Sequence, residues 1–549
     1  MTDTSDIANR AWDVIVIGTG MGGATLGHAL AKAGKSVLFC EQGRAHLEDE
    51  AALRGDYPET GIADLCLPHA QNRDALSRAG RYGDLIEDRS GPRRRRFVPF
   101  IGAGTGGSSA LYGMALERFL PEDFRPREKF AGMLEGAAES SLPERWPIAY
   151  EELAPYYTQA ESLYRVRGGK DPLRGEQPGD ALQSAPPLTA ANQELFDFLS
   201  AKGVHPYRLP SACEFLPDCK ECQGFLCTKP CKNDSARICL APALRDHGAV
   251  LLDQCRALRL EATKGRVDSV ICRHRGRDLS LKGATIVLAA GALQSPLLLL
   301  RSRSPDWPQG IANEHDLVGR NLMRHCVDLY ALKPKAAPGP EENHKEIAFN
   351  DFYGAESARL GSVQSFGRLP PPAMIVDTME QDLREGPLPW LSGCFRLAKP
   401  FIRSALGKKL SRSVILASLL EDLPYRDNRV LPMETAGGEQ QGGDAILHYR
   451  LHPFERTRIA EFRKRMTALL KPYDVTVIKQ AENNQRIAHV CGTCRFGDDP
   501  EDSVLDRNNR AHGLENLYVV DSSFFPSSGG TNPSLTIAAN ALRVADMLQ

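Results

Sequence analysis

Residues 14–17, Val-Ile-Val-Ile, form an unbroken β-branched run closed by a glycine. A run without polar alternation predicts a strand covered on both faces. Downstream, Ala24, Leu26, Ala29, Leu30 and Ala33 give a small apolar helix face that ends at Gly34, and residues 36–40 predict the next strand. The same order of buried strand, tight turn and helix returns at 285–302 and at 515–548. In the last of these, 517–520 predicts a strand, Asn532 a helix N-cap and Pro533 the first helical position. Such alternation predicts an α/β fold. The longest apolar stretch, 284–300, is broken by Gly291, Gln294, Ser295 and Pro296, so it reads as strand, turn and helix and no transmembrane segment is expected. Residues 403–420, basic and then apolar, predict a partly buried helix, with docking on a membrane or partner as the rival reading.

Composition narrows the class. The chain has 549 residues, 42% apolar and 25% charged, which is globular usage with room for more than one domain. With 68 basic against 69 acidic residues, nothing favours a nucleic-acid partner. The polar N-terminus runs straight into the first strand without an export signal, so a cytoplasmic location is expected.

Two glycine-rich loops carry the first chemistry. Gly18, Gly20 and Gly23 form G-x-G-x-x-G between the first strand and helix, and Glu41 follows the second strand. The first glycine permits the turn, the second admits a pyrophosphate and the third brings helix against strand, while an acid at Glu41 takes a ribose. This predicts a dinucleotide site without deciding between FAD and NAD. The second loop, 100–119, contains Gly106, Gly107, Ser108 and Ser109 and lacks the lysine of a P-loop, which disfavours a nucleoside triphosphate.

These motifs, together with "WPIAYEELAPYY" (146–157), "VLAAGALQSP", "VGRNLMRH" (318–325), "HVCGTCRFG" and "LYVVDSSFFPSSGGTNPSLTI", resemble in order those of the glucose–methanol–choline (GMC) flavin oxidoreductases. The resemblance implies a Rossmann-like FAD-binding domain over 1–45, 98–120, 235–325 and 480–549. An α+β substrate domain over 121–234 and 326–479 would be interleaved with it. It implies FAD held by Gly18, Gly20, Gly23 and Glu41, with Gly106, Gly107, Ser108, Ser109, Asp521, Asn532 and Pro533 around the rest of the cofactor. Members that bind flavin covalently carry a histidine where this chain has Leu111, so non-covalent FAD is implied. His489 falls at the family's acid/base position and Asn532 at its partner. An imidazole takes the hydroxyl proton while hydride leaves carbon for flavin N5, and the amide orients the substrate oxygen. The implied activity is oxidation of an alcohol, with a sugar or polyol as the expected substrate, by a dehydrogenase with a non-oxygen acceptor. A peroxide-forming oxidase and a non-redox lyase are the rivals. Residues 330–450 carry no matching motif, so the substrate is not read from them.

Cysteines pose a separate question. Cys491 and Cys494 form C-x-x-C beside His489, which could be a redox dithiol or half a metal site. The resemblance puts a cysteine without a redox role at Cys494 and none at Cys491, so the pair is expected to be mostly packing. Six of the fourteen cysteines crowd into 213–239. There Cys219, Cys222, Cys227 and Cys231 have the spacing to converge on an iron–sulfur cluster, with zinc, disulfides and free thiols as alternatives. A cluster would imply an electron-acceptor subunit or cytochrome. Disulfides would imply a periplasmic protein exported with a partner.

Overall fold

The computed structural model describes residues 4–62, 70–174, 181–336, 338–339, 345–385, 389–433, 445–485 and 487–549. Its central sheet sets Val250–Leu252, Val37–Cys40, Ala11–Ile17, Arg277–Leu288 and Leu517–Val519 side by side, all parallel. The N-terminal part of Arg277–Leu288 continues into an antiparallel meander with Arg266–His274 and Cys255–Thr263. Val37–Cys40 is buried at every position, as an apolar run inside a parallel sheet must be. Helices Met21–Lys32 and Ser534–Leu548 pack against each other on this sheet. The second of these begins at Ser534 behind an N-cap at Pro533, one residue later than the sequence pattern placed it.

Glycines set the closeness of the first turn. Gly18 has φ +101°, and a Cβ there would stand 2.4 Å from Ala289 O. A Cβ at Gly23 would stand 2.2 Å from Gly18 O, so only glycine lets helix Met21–Lys32 settle onto its strand.

A second, antiparallel sheet of six strands runs in the order Val475–Ile478, Cys326–Leu332, Val414–Leu420, Gly361–Ser365, Ile347–Phe349, Tyr207–Arg208. Here the 403–420 expectation is corrected. The helix is Leu391–Leu410, with no buried residue, and it stops where Arg412 turns into the left-handed region at φ +59°. Val414–Leu420, buried throughout, is a central strand of the six-stranded sheet. Periodicity alone does not separate a short apolar strand from a buried helix, and the bordering turn decides it. A small third sheet joins Arg429–Pro432, Ala445–His448, Ile86–Asp88 and Arg95–Phe97.

Candidate active site

A cavity of about 500 Å³ lies between the parallel and six-stranded sheets. One wall is the first glycine turn, Gly18 and Gly20, with Glu41 at the end of the second strand. The other is floored by strand residues of the antiparallel sheet, among them Val327, Gln364 and Leu419. Gly107, Ser108, Ser109, Asp521, Asn532, Pro533 and His489 also line it, so the sequence-nominated residues converge on one space. Gly23 and Gly106 are not on its surface. Gly23 makes the helix–strand contact, and Gly106 N donates to Thr19 Oγ1, joining the two glycine loops.

Each acid has a definite local task. Glu41 accepts from Thr19 N at 3.1 Å, Thr19 Oγ1 at 2.7 Å, Gly43 N at 3.0 Å and Gly104 N at 3.1 Å. It therefore stitches the first loop to the second while lining the cavity, and burial raises its pKa. Asp521 accepts from Gly291 N and Ser523 N, both at 2.9 Å, and from the hydroxyls of Ser295 and Ser523. Ser109 Oγ donates to Gly106 O and Ser108 Oγ accepts from Gly102 N, so both hydroxyls shape the loop.

The cavity fits an extended dinucleotide. A Cβ at Gly20 would meet nothing within 4 Å, leaving the backbone bare toward the cavity where a pyrophosphate must approach. Asn532 Oδ1, buried at the far end, has no hydrogen-bond partner among the described residues. Leu111, at the place of a flavin-linking histidine, is buried in the wall and offers no nucleophile.

His489 sits in the left-handed region at φ +57°, a conformation that costs of order 1–3 kcal/mol for a non-glycine residue. Paired backbone bonds between Met323 and Cys491, with His325 N donating to Ala488 O, hold the segment there. His489 Nε2 lies 3.5 Å from Asn532 Nδ2. His489 Nδ1 lies 2.7 Å from His325 Nδ1, and His325 Nε2 lies 2.9 Å from Gly529 O. Burial first, then the neighbouring His325 and Lys345, push the His489 pKa well below the usual imidazole range. Burial lowers His325 to about 4.

Two wall residues, Lys345 and Gln364, and one residue behind the wall, His325, were not named from sequence. His325 ends the quoted motif "VGRNLMRH", but its role depends on a contact across 164 residues. Lys345, lowered to about 8 mainly by burial, and Gln364 come from the stretch without matching motifs.

An iron–sulfur cluster at the cysteine quartet finds no support. Among the described residues the sulfurs of Cys219, Cys222, Cys227 and Cys231 do not gather into a metal-sized group. Cys213 Sγ faces Cys219 Sγ at 3.6 Å, Cys219 also meets Cys231, and Cys222 faces Cys227. The segment is organised instead around buried Lys232, whose Nζ donates to Ala110 O and Phe225 O, and around main-chain bonds such as Glu214 N to Cys231 O. Among the described residues, the three sulfurs that come within 4.8 Å of one another are those of Cys40, Cys255 and Cys272, all buried. Cys491 and Cys494 are buried and burial raises both thiols, which makes them protonated packing groups.

Family models described as GMC oxidoreductase match residues 147–327 and 440–541. The chain is 31% identical to paromamine 6'-oxidase of Streptomyces fradiae, over 99% of this chain and 92% of that protein. It is 24% identical to the fructose dehydrogenase large subunit of Gluconobacter japonicus, over 98% and 97%. The crystal structure of pyridoxine 4-oxidase from Mesorbium loti shares the fold at a TM-score of 0.61 and 19% identity, over 98% of this chain and 99% of that one. The chain belongs to the GMC oxidoreductases, a family of FAD-binding enzymes.

Proposed function

We propose that this protein oxidises a CH–OH group of a sugar or polyol to the carbonyl, with His489 as base and Asn532 orienting the substrate oxygen. When bound, FAD supplies the hydride acceptor. The glycine loops and Glu41 would hold its ADP half, and Ser108, Ser109, Asn532 and Pro533 would stand near the remainder. Leu111 leaves the cofactor non-covalent.

The observation that carries the reading is the chain of contacts from Gly529 through His325 to His489. A carbonyl only accepts, so His325 Nε2 must hold a proton to bond Gly529 O. His325, kept neutral by burial, then presents an unprotonated Nδ1. His489 Nδ1 must donate to it, which leaves the lone pair of His489 on Nε2, beside Asn532 at the cavity wall. A neutral imidazole with its unprotonated nitrogen so placed is ready to take a hydroxyl proton. The amide oxygens of Gln223, Gln364 and Asn532, buried in the same wall and without partners among the described residues, would accept from the further hydroxyls of a sugar or polyol.

For the electron outlet, molecular oxygen is the reading we favour over the dehydrogenase first expected. Relatives of this chain at 31% and 30% identity are named oxidases. A dehydrogenase with a partner acceptor is the second reading, since a further relative is named as the large subunit of a dehydrogenase. Anaerobic mixing with a panel of sugars and polyols should bleach the flavin bands, and admitting oxygen should yield one peroxide per turnover. Bleaching without peroxide would assign a different acceptor. No bleaching by any alcohol would leave a lyase.

A further inference from the structure

Helix Leu391–Leu410 has no buried residue along its twenty positions and packs on helix Pro372–Glu385. Its inner side is half-buried through Phe395, Ile402 and Leu406. Its outer side carries Trp390 at 70%, Leu397 at 87% and Phe401 at 79% exposure, with exposed Cys394 between them. At 100° per residue these four fall within a sector of about 60°, a stripe roughly 16 Å long. Large apolar side chains aligned on one outward face, on a helix already packed by its other side, have no cover among the described residues.

Charge identifies the cover. The helix contains Arg396, Lys399, Arg403, Lys408 and Lys409 and no acid. Arg396 and Lys399 are engaged by Asp377 and Glu380 of the neighbouring helix. Among the described residues no carboxylate pairs with Arg403, Lys408 or Lys409. We propose that this hairpin docks on an anionic lipid surface, with Trp390, Leu397 and Phe401 entering the headgroup region and Lys408 and Lys409, on or beside the same face, meeting lipid phosphates. An exposed tryptophan, leucine and phenylalanine beside lysines, with arginines on the opposite face, are the composition of an interfacial helix. The stripe is convex, which suits a deformable bilayer better than a protein groove. Among the described residues no helix is long and apolar enough to cross a membrane, so the contact is with its surface. The first helix of the hairpin also contributes Ile375 to the cavity wall, so docking places the membrane beside the site.

The test uses the purified full-length flavoprotein and vesicles of phosphatidylcholine alone or with about a third phosphatidylglycerol. Flotation should be at least about tenfold stronger with the anionic vesicles and should weaken as salt rises. Trp12, Trp146 and Trp307 are at most 5% exposed, so Trp390 reports the contact. Its emission should shift to the blue on binding, and the shift should vanish in Trp390→Phe. Leu397→Ser/Phe401→Ser and Lys408→Glu/Lys409→Glu should each abolish flotation while flavin content and turnover stay unchanged, since these side chains are exposed. Absence of flotation, or flotation equal in wild type and both variants, overturns the proposal. A concentration-dependent dimer that the serine variant dissolves, without vesicle binding, overturns it in favour of a second copy of this chain.

Discussion

His325 and His489 are brought to 2.7 Å from segments 164 residues apart, and the Gly529 carbonyl behind them decides where both protons sit. Removing the acceptor should release the tautomer. In His325→Leu, flavin reduction should slow roughly ten- to a hundredfold, while His325→Gln, which retains an amide oxygen, should recover part of the rate. A purely structural role would instead lower flavin content or melting temperature and leave the rate per bound flavin intact. The pH profile has a definite sign. His489 works as a base when neutral, and its pKa is depressed by burial, then by His325 and Lys345. Reduction should therefore be flat through neutral pH and fall only on the acid side. Lys345→Met removes a cation that disfavours imidazolium, so its acid limb should move to higher pH; a limb that stays put or moves lower would show that Lys345 does not act on His489. His489 and Asn532 were legible because motif and spacing name them. The His325 contact was not, because it is a tertiary fact. The thiol contacts of 213–239 were hidden for the same reason: spacing does not say that Cys219 meets both Cys213 and Cys231 while Cys222 faces Cys227.

At the scale of elements, the first turn separates two uses of glycine. A methyl at Gly23 would strike the Gly18 carbonyl, whereas one at Gly20 would enter open space. Gly23→Ala should destabilise the protein by about 1–3 kcal/mol even without cofactor. Gly20→Ala should leave the melting temperature of the apoprotein unchanged but weaken FAD retention. Equal apoprotein melting for both variants would contradict the packing argument. This unit was readable from sequence because strand, glycines and helix all follow local rules. Residues 403–420 were not, since a turn at Arg412 divides what looked like one apolar run into an uncovered helix and a central strand. Asn532 likewise stands one residue before the cap and points into the cavity as a wall residue.

For the whole molecule, the parallel sheet brings the glycine loops and the six-stranded sheet brings the floor, and the cavity exists only where they meet. The architecture of the first could be read from the chain, while the second, built from short antiparallel strands without motifs, contributes Lys345 and Gln364 unannounced. The central claim is that His489 Nε2 takes the substrate proton in this shared cavity. Anaerobic stopped-flow reduction of His489→Ala, with flavin content matched to wild type and an alcohol that reduces the wild type, tests it directly. The account predicts a loss of roughly a hundredfold or more in the reduction rate constant. A rate constant within a few-fold of wild type, with the variant's flavin fully bound, would contradict it.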